Sequence, residues 1–125
     1  MTRRRVIIRT TPQPADLNVN GNIFGGWVLS QMDLAGAAVA RERAKGPVAT
    51  VAVNEMKFHR PIEVGDMVSI YADVEKVGRT SVSVAIEVFA ERGVSGNEHE
   101  YKVTEGCYVF VLVDDDGRPK PIDPE

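Results

Sequence analysis

NVNGNIFGGWVLSQMDLAG, Asn18–Gly36, sets a turn-forming Asn/Gly run directly against a long apolar segment that carries one acidic residue, Asp33. Glycines at 21, 25 and 26 can open a helix and let a ligand approach the backbone closely. From about Phe24 to Ala44 the pattern is helical: there is no proline, alanine is frequent, and Arg41, Glu42, Arg43 and Lys45 gather at the polar end. Gly46 and Pro47 stop the helix, and positive side chains near that end suit its dipole. Apolar residues lie nearly all round between Phe24 and Ala40, so the helix is expected to be largely enclosed by other structure.

On either side of this helix the chain reads as strand. Arg3 to Thr10 alternates, with Val6 and Ile8 on one side and Arg5, Ile7 and Arg9 on the other, as in a short edge strand. Pro12 and Pro14 end regular pairing, and Ala15 to Asn22 is loop. After Gly46 come four strand segments: Val48 to Phe58, Asp66 to Val77, Thr80 to Arg92 and Glu98 to Val113. Val82, Val84, Ile86 and Val88 share a face of the third; Tyr101, Val103, Cys107, Val109 and Val111 follow a period of two in the fourth. The links carry turn residues, namely Pro61 with Gly65-Asp66, then Gly78, then Gly93 with Gly96-Asn97. Links this short imply antiparallel pairing. The expected fold is α+β, a curved antiparallel sheet around one helix. Residues 1–125 read as one domain, with a core at about 5–113 and an extended tail at 114–125. Its edges and outer sheet face call for cover, which self-association would supply.

The 125 residues are 43% apolar and 26% charged, the composition of an ordinary globular protein with enough chain for a core. A net charge of −3 argues against nucleic acid as a partner, because phosphate binding draws on accumulated Lys and Arg. Arg3, Arg4 and Arg5 form the one dense basic run. Cys107 is alone, which rules out an intramolecular disulfide and fits a reducing compartment. Within GCYVFVLV it reads as a small buried hydrophobe rather than a reactive thiol. The basic run is followed only by Val6, Ile7 and Ile8 before Arg9, so no signal peptide is expected; no apolar run approaches the roughly 20 residues of a membrane span. A cytoplasmic protein with no membrane partner is the expectation. Two histidines and one cysteine, widely spaced, form no metal-ligand pattern, and no metal site is expected.

At about 100° per residue, Gly26, Ser30, Asp33, Ala37 and Ala40 fall on one side of the helix, with Gly36 at its margin. All but Asp33 are small, which implies a narrow channel beside the helix with a carboxylate on its wall. A carboxylate among Trp27, Leu29, Met32 and Leu34 is costly to desolvate unless something answers its charge. Two readings stand: a reactive group, or an acceptor for loop N–H groups that holds the fold together. Asn22 is likewise open between a turn or capping residue and a catalytic amide.

The run N-V-N-G-N-I-F-G-G-W-V-L-S-Q-M-D-L-A-G resembles the signature of hotdog-fold acyl-CoA thioesterases, in particular the short bacterial YciA-like branch. The likeness continues through T-V-A-V-N-E-M-K-F-H-R-P-I-E-V-G-D, Thr50 to Asp66, and K-V-G-R-T-S-V, Lys76 to Val82. It covers about residues 5–113. The resemblance implies a hotdog fold, a five- to six-stranded antiparallel sheet wrapped around one long central helix. It implies hydrolysis of acyl-CoA to free acid and CoA with no cofactor, at sites formed between two subunits. A dimer is then the minimum assembly and a trimer of dimers the family habit. By the same resemblance Asp33 is the general base or nucleophile, and Asn22 is the loop amide where close relatives often carry Asp. An amide can donate to the thioester oxygen or position water but cannot act as a base. The N–H groups of Gly25 and Gly26, at the positive end of the helix, would polarise the carbonyl. Gly78, Arg79, Thr80 and Ser81 would grip the nucleotide end of CoA, with Arg60 also assigned to CoA.

His59 reads as structural or as a substituent at the CoA entrance, and His99 as a surface residue. Hotdog hydratases and dehydratases use a His a few residues after their Asp, and none follows Asp33. A hotdog domain that only binds acyl-CoA is the other alternative. Sensors of that kind usually carry a DNA-binding segment, and no helix-turn-helix pattern is present.

Overall fold

In the computed structural model residues 5–92 and 100–124 are described. Arg3 and Arg4 of the basic run, the expected turn at Gly93 and Gly96-Asn97, and His99 lie outside them. Strand β1 is Arg5–Thr10, helix α1 is Gly25–Ala44, and β2 to β5 are Val48–Phe58, Met67–Val77, Ser81–Glu91 and Glu100–Leu112. Five strands form one antiparallel sheet in the order β1-β3-β4-β5-β2, with α1 packed across it. This is the hotdog arrangement expected from the periodicity and from the resemblance.

Alternation on β4 holds throughout, with Val82, Val84, Ile86, Val88 and Ala90 all buried against the helix side. On β5 the expected face is wrong beyond Val103. Thr104 pairs with Val88 and Lys102 with Phe89, which leaves Val103 as an extra residue. Such a bulge flips the faces. Tyr108, Phe110 and Leu112 therefore line the core, while Val109 and Val111 face the opposite side. Ile7 is an extra residue in β1 in the same way, and both Ile7 and Ile8 pack on the core.

The helix lies close to the sheet because Gly36 has no side chain. A Cβ there would stand 2.8 Å from both Ile86 Cδ1 and Phe110 Cζ. The helix is not enclosed all round, however. Gly26, Ser30, Leu34 and Ala38 form an exposed stripe, with Leu34 59% exposed, because one sheet covers one face of a helix. Its end also departs from expectation. Lys45, not Gly46, takes the left-handed conformation (φ 62°) and donates its N–H to Arg41 O. Gly46 instead makes room for Leu112 Cδ1, which a Cβ would meet at 2.9 Å.

One buried polar network ties the loop before β3 to β4 and β5. Asp66 is only 1% exposed. It accepts hydrogen bonds from Arg92 Nε (2.9 Å), Arg92 Nη2 (2.9 Å), Glu63 N–H (2.9 Å) and Tyr101 O–H (3.2 Å). Burial alone would raise the Asp66 carboxyl, but these donors outweigh it and hold it below the usual carboxylate range. A lowered folded value means that Asp66 stabilises fully above the ordinary carboxylate range and loses that contribution as pH falls through the folded value. Asp66→Asn is expected to cost about 2–3 kcal/mol near neutral pH and to flatten the acid limb of stability. Urea unfolding at fixed protein concentration across pH 3–8 checks both.

Candidate functional site

The loop before the helix is built by a residue that sequence reasoning did not single out. Asn18 Oδ1 accepts from Asn20 N–H (2.9 Å) and Asn22 N–H (3.1 Å), and Asn18 N–H donates to Asn22 O (2.6 Å). Gly21 takes φ +82° inside this turn. The signal was the Asn-X-Asn-Gly-Asn spacing, since Asn side chains cap their own following backbone. Asn22 does not cap the helix. Phe24 holds the cap position without a side-chain bond, and Phe24 N–H donates to Asp16 O (3.0 Å). The Asn22 side-chain amide has no hydrogen-bond partner among the described residues.

The helix therefore opens with Gly25 and Gly26 N–H unpaired among the described residues, both glycines exposed, at the positive end of the dipole. Beside them is a cavity of about 280 Å³, lined by Ile23, Gly25, Val28, Phe58, Ile62 and Thr104 together with His59, Arg60 and Pro61. Arg60 reaches from this rim over the Tyr101 ring, 5.0 Å from its centroid. His59 Nε2 lies 2.8 Å from Glu105 Oε2, an ion pair when the imidazole is protonated.

Asp33 is half-buried two turns further along the helix and accepts a hydrogen bond from Thr50 Oγ1 (2.6 Å) on β2. No loop N–H reaches it among the described residues, so the loop-anchoring reading of Asp33 has no support. The Tyr108 hydroxyl is pushed up to about 12, first by burial and then by the Asp33 charge, and it donates to Leu29 O (2.8 Å) on the helix. Thr50 and Tyr108 are site neighbours that the sequence reading missed. Strand periodicity gave their faces no partner until the helix was laid over them.

The predicted residues do not all meet within one chain. Asp33 follows Gly25 by eight residues, about 12 Å at 1.5 Å per residue. The Gly78–Ser81 hairpin lies at the other end of the sheet: Thr80 O accepts from Leu112 N–H (2.9 Å), and Leu112 pairs with Val48 just after the helix C-terminus. Gly78 N–H is committed to Ser81 O (2.8 Å), so it is not a free donor for phosphate. Arg79 is exposed, and its guanidinium has no partner among the described residues. Arg60 belongs with the helix start instead. Cys107 faces the other side of the sheet from Tyr108; burial and then Glu75 push its thiol up to about 11, as suits an inert buried sulfur. Among the described residues no group of three or more His, Cys, Asp or Glu is placed to hold a metal ion, and no helix is long and apolar enough to cross a membrane.

Comparison with known proteins agrees with this architecture. The thioesterase superfamily model matches residues 20–96. The acyl-CoA thioester hydrolase YciA of Salmonella typhimurium is 48% identical over 118 residues, covering 94% of this chain and 89% of the relative. A hexameric thioesterase from Yersinia pestis superposes with a TM-score of 0.90 at 43% identity, covering 99% of both chains. A hexameric broad-specificity acyl-coenzyme A thioesterase, solved as an Asp-to-Ala variant, gives a TM-score of 0.91 at 43% identity over 98% of this chain and 89% of the other. The chain thus belongs to the thioesterase superfamily, in its YciA-like branch of hotdog acyl-CoA thioester hydrolases.

Proposed function

We propose that hydrolysis of acyl-CoA by this chain runs through Asp33, at sites that each draw on two copies of the protein. The observation that carries this is the spacing along one rigid helix. The unpaired N–H groups of Gly25 and Gly26 and the Asp33 carboxylate are the groups suited to a thioester carbonyl, yet they stand about 10–12 Å apart. A single carbonyl cannot touch both in one chain. A two-fold axis that sets two helices antiparallel brings the Asp33 of one copy to the helix start of the other. The same axis carries one copy's Gly78–Ser81 hairpin towards the other copy's helix start. A dimer is the least this requires, and the hexameric relatives support a trimer of dimers.

The thioester oxygen accepts from Gly25 or Gly26 N–H, with the helix dipole favouring the charge that develops on it. Asp33 either takes a proton from a water attacking the carbonyl carbon or attacks that carbon itself, giving an anhydride that water then opens. In both cases the C–S bond breaks, the acid is released, and the CoA sulfur takes up a proton. Asn22, its amide uncommitted, donates to the oxygen or orients the water. Carboxylate, water and N–H donors suffice for these bond changes, so no cofactor or metal is invoked. One sheet around one helix supports reading residues 1–125 as a single hotdog domain. The lone, buried thiol supports a cytoplasmic location.

Thiol release measured across acyl-CoAs of increasing length tests the reaction, and absence of release from every one would refute it. Arg79, with Thr80 and Ser81 beside it, is assigned to the CoA phosphates. Arg79→Ala is expected to raise KM for acyl-CoA about tenfold while kcat stays within about twofold. An unchanged KM would remove Arg79 from the site.

A further inference from the structure

The cavity beside the helix start is apolar on most of its wall, and its backbone polar groups are already engaged. Ile62 O accepts from Ile23 N–H (3.3 Å), and the N–H groups of His59 and Arg60 both donate to Val103 O (2.8 and 3.3 Å). Gly25 N–H is left at its mouth. A thioester whose oxygen faces Gly25 has two arms. The pantetheine arm carries amides, which would go unpaired among these walls, whereas an alkyl chain asks for no partner. We infer that this cavity receives the acyl chain and that Phe58 sets the chain length it accepts, an inference that rests on the thioesterase reading above.

Ile23, Val28 and Ile62 are buried and held by the core, so those walls are fixed. Phe58, the last residue of β2, is 58% exposed and forms the wall that is not locked in place. At about 280 Å³ the space is just under the usual 300–1,000 Å³ of ligand pockets, which suits short acyl groups. Shortening Phe58 extends the slot, and enlarging it closes the slot earlier.

The test is the ratio of kcat/KM for dodecanoyl-CoA to that for butyryl-CoA, measured with the intact protein, Phe58→Ala and Phe58→Trp. Phe58→Ala should raise the ratio about tenfold or more, and Phe58→Trp should lower it by a similar factor. Sedimentation or light scattering on each variant reads assembly in parallel. An unchanged ratio in both variants, with turnover intact, overturns the inference and leaves the thioesterase reading standing. Loss of assembly in Phe58→Ala with no change of ratio in Phe58→Trp makes Phe58 an assembly residue and also overturns it. A wild-type protein that releases no thiol from either substrate removes the underlying reading.

Discussion

Asp33→Asn is expected to lower kcat for acyl-CoA hydrolysis by about 10²- to 10⁴-fold, with KM changed far less. The substitution keeps an oxygen where Thr50 Oγ1 donates at 2.6 Å, so the contact between helix and β2 survives. What disappears is the capacity to take a proton or to attack the carbonyl. A folded, assembled variant with near-normal turnover would remove Asp33 from the chemistry. Single-turnover hydrolysis of acyl-CoA in ¹⁸O-water separates the two routes for the native protein. Direct attack leaves label in the Asp33 carboxylate, and general-base catalysis leaves it only in the released acid.

Gly25→Pro addresses the other half of the site. Proline is well suited to the first position of a helix, and Phe24 already has φ −54° and ψ 136°, the extended conformation that a following proline favours. The change deletes one N–H donor with little disturbance to the helix, and kcat is expected to fall about 10²- to 10³-fold. Unfolding Gly25→Pro and Asp33→Asn chains together and refolding them then becomes decisive. Half of the dimers are mixed, and each mixed dimer holds one site with both its donor and its carboxylate intact. About a quarter of the wild-type activity should return. A site contained in one chain would leave the mixture as inactive as its parents.

Much of the architecture was legible because hydrophobic period and turn residues are local properties. The helix begins within one residue of its expected start and ends where expected, and β2 matches residue for residue. Errors arose where a single residue breaks the period. Val103 and Ile7 are each one residue too many for the pairing, and nothing in their chemistry marks them. Lys45 holds a conformation that a glycine next door was better fitted to take, because Gly46 is needed for the approach of Leu112. In the candidate site Asp33, Gly25 and Gly26 stood out as an acid and glycines on a helix. Thr50 and Tyr108 did not, since their relation to Asp33 exists only once β2 and β5 lie under the helix. The Asp66, Arg92 and Tyr101 network was equally hidden, being drawn from three separate segments.

Gly36 stands three residues after Asp33, almost one turn along the same rod. The missing methyl group there fixes how near the rod can settle on Ile86 and Phe110, and so fixes the height at which the Asp33 carboxylate is carried above β2. Reach at the reacting end is therefore calibrated by an absence in the core, and a side chain too large at one spot would lift the acid away from its work without touching it.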